Sequence, residues 1–270
     1  MKNHILTLCL GAAVAGGALS GQAVAADYTD GDIHKNDYKW MQFNLMGAFN
    51  EKGFTESSHD YLEMEFGGRS GIFDLYGYVD VFNLTSDSNS DKNGAEKIFM
   101  KFAPRVSLDA LTEKDLSFGA VKELYISTLM EWGGNSNVNN QKIGLGADVE
   151  LPWLGKVGVN LYRYYNGNDK KWDGYQLSAN WFKPFYFFDN GSFLSYQGYF
   201  DYQFAMDDKP VTKTSRGGAM FHGLYWHSER YALGYGLKAY DDVFGLKDGA
   251  LGDKPQSSGI GHYIAATYKF

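Results

Sequence analysis

Cysteine is almost missing from this chain: Cys9 is the only one in 270 residues. It sits in an apolar stretch near the amino terminus, so the rest of the chain has no disulfide, thiolate metal site or cysteine nucleophile. Proline is scarce, at 5 residues. Beyond the amino-terminal stretch, no apolar run approaches the roughly 18 residues of a membrane-spanning helix. With a mean hydropathy of −0.37 the chain is too polar for a helical membrane protein. An excess of base is lacking too. Lys and Arg number 25 against 32 Asp and Glu, a formal net charge of −7. A nucleic-acid binder would carry a basic face, so that class is excluded.

The amino terminus reads as an export signal. Lys2 gives a positive start, residues 5–19 form a short apolar run, and Ala23-Val24-Ala25 is a small-x-small cleavage pattern. Residues 1–25 are therefore expected to be a signal peptide, removed after Ala25 or Ala26. Leu6-Thr7-Leu8 before Cys9 is the wrong context for a lipid-anchored cysteine.

What the chain does have is aromatic residues and glycine: 20 Tyr, 19 Phe and 33 Gly. These are set in a period-two pattern over most of its length. "YLEMEF" puts Leu62, Met64 and Phe66 on one face and Tyr61, Glu63 and Glu65 on the other. "KIGLGADVEL" opposes Ile143, Leu145, Ala147, Val149 and Leu151 to Lys142, Asp148 and Glu150. The last segment sets Ile264, Ala266, Tyr268 and Phe270 against Tyr263, Thr267 and Lys269. Such alternation marks strands with one apolar and one polar face.

About twelve strands are expected, near 39–49, 59–68, 71–82, 96–106, 116–131, 141–151, 156–165, 173–183, 192–204, 214–226, 230–240 and 259–270. The 214–226 segment has the weakest pattern. Connections after odd strands are polar and mostly long: 50–58, 84–95, 132–140, 166–172, 205–213 and 241–258. Those after even strands are mostly tight, with 108–115 and 184–191 as exceptions. Long loops at one end and short turns at the other describe an all-β transmembrane antiparallel barrel of the bacterial outer membrane. A last strand ending in Phe270 then has a reason: it must pair with the first to leave no edge in lipid. Residues 26–270 are expected to form that barrel as one domain. The aromatic run 181–188 and Trp153 are expected at the membrane–water boundary.

In a barrel the apolar face meets lipid and the alternate set faces inward. That inward set comprises Glu63, Glu65, Asp74, Tyr76, Tyr78, Asp80, Lys101, Arg105, Glu123, Tyr125, Lys142, Asp148, Glu150, Tyr162, Tyr164, Tyr199, Asp201, Lys238 and Tyr240. Both signs of charge are interleaved with tyrosines, whereas an ion-selective pore favours one sign. The lining suits an uncharged, hydroxyl-rich solute with a flat part, or simply paired charges that brace a narrow lumen.

Four segments carry a family resemblance: 99–125, "FMKFAPRVSLDALTEKDLSFGAVKELY", with "FDLYGYVD" (73–80), "YLEMEF" (61–66) and "WDGY" (172–175). Together they resemble the Tsx/OmpK family of nucleoside-specific outer-membrane channels, the Vibrio-type OmpK branch in particular. The resemblance implies a monomeric twelve-stranded barrel in outer-membrane lipid that passes nucleosides through a narrow channel, with no cofactor or metal. It also implies exploitation by bacteriophage through the outer loops. Matched by position, the implied solute-binding residues are Glu63, Glu65, Asp74, Tyr76, Tyr78, Asp80, Arg105, Glu123 and Tyr125, with Lys101 in the same lining. Tyr76, Tyr78 and Tyr125 are expected to stack on the base, and Glu63, Asp74, Asp80, Arg105 and Glu123 to bond ribose hydroxyls and base edges. One departure bears on solute class. The nucleoside-channel pattern carries two glutamates before Pro-Arg, where this chain has Lys101 and Ala103.

Rival readings are a less selective small-solute porin and a surface attachment protein with an incidental pore. An enzyme is not expected: there is no Gly-x-Ser-x-Gly elbow, and "GGRSG" (67–71) lacks the spacing. His222 and His227 fall on opposite faces of a strand, which excludes them as a metal pair. Gly144-x-Gly146 has no third glycine and no helix after it, so it makes room in the lumen and is no nucleotide fingerprint. Asp241, Asp242, Asp248 and Asp253 read as a solvated acidic loop.

Overall fold

The computed structural model describes residues 27–134 and 138–270; the expected signal peptide lies outside the described residues. Thirteen strand segments follow one another: β1 Tyr38–Glu51, β2 Ser57–Ser70, β3 Phe73–Phe82, β4 Ile98–Phe102, β5 Arg105–Ser107, β6 Val121–Gly133 and β7 Asn139–Leu151. The rest are β8 Gly155–Asn166, β9 Lys171–Phe187, β10 Phe193–Phe204, β11 Arg216–His227, β12 Tyr231–Asp241 and β13 Gly259–Lys269. All pairings are antiparallel, and β13 returns to β1, closing the sheet. Closure satisfies every wall strand's backbone within the sheet, as lipid requires.

Both β4 and β5 lie between β3 and β6, in one unbroken register. Phe102 faces Gly77 and Met130, and Arg105 faces Asp74 and Ser127. They are two halves of one wall strand, so the barrel has twelve staves. Pro104 makes the break, since it has no N–H to give the ladder. Its carbonyl is held from β6 by Thr128, through the backbone N–H at 3.1 Å and Oγ1 at 2.8 Å.

The barrel is apolar outside and polar within. Ile143, Leu161, Leu224, Leu233 and Ile264 are exposed, and Leu145 is 67% exposed. On the alternate face Glu63, Glu65, Asp80 and Lys238 are 0% exposed. The opposite arrangement would hold in a soluble sandwich. Exposed Trp153, Phe185, Tyr186, Phe187, Tyr231 and Phe270 collect at the short-turn end, where an aromatic girdle belongs. Phe270 packs edge-on against Phe43 of β1 across the closing seam.

Two features differ from the sequence expectation. The strand expected from 116 begins at Val121, because the 108–115 connection holds a short helix, α1 Leu108–Thr112. Ser107 caps α1 by accepting the Ala110 N–H at 3.1 Å. Also, residues 27–37 are not a free lead-in but fold across the short-turn mouth. Tyr28 is fully buried there with Ala110, Ile33 and Ile72, and the Arg69 guanidinium lies 5.1 Å from its ring. This segment has no periodicity and gave no signal in the sequence.

Candidate solute site in the barrel lumen

Strand parity delivers the expected inward residues to the lumen, but the structure sorts them into two levels. The middle level is built on β2 and β3, where Glu63 faces Asp80 and Glu65 faces Tyr78 across the ladder. Strand β1 supports it. Gln42 Nε2 donates to Glu65 Oε2 at 2.6 Å, and Asn44 Nδ2 donates to Glu63 Oε1 at 2.7 Å. Tyr76 OH donates to Glu65 Oε1 at 2.8 Å, and the Tyr76 and Tyr78 rings meet edge to face at 6.2 Å. Both carboxylate oxygens of Asp80 and Oε2 of Glu63 receive no N–H or hydroxyl donor from the protein, and the two carboxyl groups stand against each other across the ladder. In a water-filled pore such atoms are where solvent or solute bonds.

Lys101 belongs to this level too: it stands on β4 beside Tyr78 and reaches out across the lumen. Its Nζ donates to Asp201 Oδ2 at 3.3 Å. Strands β4 and β10 stand on opposite sides of the barrel, separated by β6 to β9 one way round and by the remaining staves the other. The ion pair therefore bridges the lumen. Asp201 is held in place by Ser178 Oγ at 2.5 Å and Gln176 Nε2 at 3.2 Å. Beside the bridge lies a cavity of about 70 Å³, room for a few waters, lined by Tyr76, Lys101, Ala103, Leu129, Asn160, Tyr162, Ser178, Asn180, Tyr199 and Asp201. Lys101 and Ala103, the two departures from the nucleoside-channel pattern, both stand on its wall.

The second level lies toward the short turns. Arg105 donates to Asp74 and, at 3.0 Å, to Asp148 Oδ1, while its guanidinium covers the Tyr125 ring at 3.9 Å. Tyr125 OH donates to Asp148 Oδ2 at 3.1 Å. Arg69 forks onto both oxygens of Glu123, and Ser107 donates to the same carboxylate. Asp74, Arg105, Glu123 and Tyr125 are thus occupied with one another and with Arg69, beneath Tyr28. The structure does not bring them into the middle cluster.

Asn160, Ser178, Asn180 and Leu129 line the cavity but were not singled out from the sequence. The available signal was parity with Tyr162 and Asp201; small neutral side chains carry no charge to draw notice. Gly146 does make room in the lumen, since a Cβ there would come within 2.2 Å of Ser127 Oγ and 2.3 Å of Asn160 Oδ1. His222 turns outward to Tyr196 OH at 2.6 Å and His227 inward to Ser195 Oγ at 2.8 Å. Among the described residues no group of His, Cys, Asp and Glu is placed to hold a metal ion.

A closed twelve-staved barrel, lipid-facing outside and lined within by charges and tyrosines, is a channel protein of the bacterial outer membrane. The family described as "Nucleoside-specific channel-forming protein, Tsx" matches residues 35–270, and the chain belongs to that family. Outer membrane protein OmpK of Vibrio parahaemolyticus is 68% identical over 100% of both chains. The nucleoside-specific channel-forming protein Tsx of Klebsiella aerogenes is 29% identical over 98% of this chain and 99% of its own. Among solved structures the NanC porin is only 8% identical but shares the fold, with a TM-score of 0.52 over 84% of this chain and 100% of NanC.

Proposed function

We propose that this chain lets nucleosides and related small polar solutes diffuse passively across the outer membrane, and that they bind at the middle level of the lumen. The observation that carries this reading is the cavity itself. Tyr76, Tyr162 and Tyr199 wall it, the Lys101–Asp201 bridge lies beside it, and Asp80 and Glu63 hold oxygens in the same lumen that no donor of the protein reaches. Aromatic faces take a base by stacking, while open carboxylate oxygens take ribose hydroxyls. Tyr76 and Tyr78 are the stacking residues and Glu63, Glu65 and Asp80 the hydroxyl acceptors. The Lys101–Asp201 bridge must part for a solute to pass. Asp74, Arg105, Glu123 and Tyr125 brace the short-turn mouth.

Single-channel conductance in a planar bilayer tests this reading, with adenosine, thymidine and a free sugar added in turn. Dose-dependent block by both nucleosides and none by the sugar is expected. Conductance indifferent to all three would leave a general pore in place of a nucleoside channel.

A further inference from the structure

The lumen is polarised around its wall. One wall, β2 and β3, leaves acceptors open at Asp80 and Glu63. Further round the barrel, β12, a quarter turn from β2, and β10, opposite β3, leave donors open: Lys238 Nζ and Tyr199 OH are buried without a hydrogen-bond partner. Lys238 is the unusual one. Its ammonium lies 5.0 Å from the Tyr240 ring, 5.7 Å from Tyr263 and 5.8 Å from Tyr199. Three ring faces stabilise the cation without giving it an acceptor. The hydroxyls of Tyr240 and Tyr263 are already bonded to each other, and that of Tyr263 also donates to Glu51 at 3.0 Å.

Two other buried inward lysines differ: Lys101 is paired with Asp201, and Lys142 with Glu131 at 2.6 Å. A buried ammonium with no acceptor is expensive in a sealed interior. In a channel the acceptor arrives with the solute.

We propose that Lys238 and Tyr199 form a subsite for a carbonyl or anionic oxygen of the solute, on a different arc of the lumen wall from the acceptors Asp80 and Glu63. A solute then crosses oriented, with its hydroxyl or amino edge toward β2–β3 and its oxygen-bearing edge toward β12. The inference rests on the nucleoside reading and sharpens it. Nucleosides whose base carries carbonyl oxygens, such as uridine, lean on Lys238; adenosine, whose base has none, does not.

The test is nucleoside block of the refolded full chain in a planar bilayer, for wild type, Lys238→Met, Lys238→Arg and Tyr199→Phe. Losing a charge-assisted hydrogen bond should raise the half-blocking uridine concentration about tenfold or more in Lys238→Met. Adenosine should move much less, and Lys238→Arg should keep most of the uridine block. Should Lys238→Met fail to refold, Tyr199→Phe, which removes one oxygen atom, must show the same uridine-selective loss. Equal shifts for both nucleosides, or none for either, would overturn the subsite while leaving the nucleoside channel standing. A wild type blocked by neither nucleoside would remove both.

Discussion

The two levels of the lumen have nearly the same composition and opposite bonding. At the short-turn mouth Arg69, Arg105, Asp74, Asp148 and Glu123 are knitted into ion pairs, with the Tyr125 ring beneath the Arg105 guanidinium and Tyr28 beside Arg69. In the middle, Lys238 and Tyr199 are just as buried and hold polar atoms with no partner, and Asp80 and Glu63 face only each other, with oxygens that no N–H or hydroxyl of the protein reaches. Charges that face one another and are satisfied make a brace. Charges left open in a polar lumen make a place for something that passes through. Composition alone cannot separate these roles; the count of satisfied atoms does.

That contrast can be broken by substitution. The largest effect is expected at the mouth. Arg69→Ala strands the Glu123 carboxylate in a dry site, which destabilises by about 3–5 kcal/mol; urea unfolding in detergent micelles measures it. Nucleoside block should survive in whatever fraction folds. Next comes the lipid face, where Leu145→Arg places a cation against hydrocarbon near the middle of β7. A loss of about 2–4 kcal/mol is expected by the same assay. In the middle level the order of effects reverses. Tyr76→Leu removes a stacking face worth about 1–3 kcal/mol per base. The half-blocking nucleoside concentration should rise roughly tenfold or more, since 1.4 kcal/mol is a factor of ten. The smallest stability effect belongs to Asp80→Asn. Replacing one of two facing buried carboxyls by an amide should leave unfolding stability within about 1 kcal/mol of wild type, or raise it.

The wall of the barrel was legible because lipid enforces period two along most of every wall strand. Even the 214–226 segment, whose faces mix Gly with large residues, forms β11 Arg216–His227. Its inward glycines and those of β12 exist for the rings beside them: a Cβ at Gly234 would lie 2.0 Å from the Tyr225 ring, and one at Gly236 would lie 2.2 Å from Phe221. Parity also placed the ten expected site residues in the lumen. It gave no depth along the axis, because strand tilt and register decide which residues share a level. Hence Asp74 and Asp80, three alternations apart on one strand, serve different levels. The Lys101–Asp201 bridge was illegible for another reason: it joins residues 100 positions apart on opposite walls, and no local pattern reports such a pair. The fold of residues 27–37 over the mouth carried no periodic signal.

The division of labour between the levels is tested most directly by the concentration of adenosine that half-blocks conductance, measured on Asp80→Asn and on Arg69→Met beside wild type. A marked rise for Asp80→Asn with little change for Arg69→Met is expected. The reverse pattern would place the binding site at the short-turn mouth and make the middle level the brace.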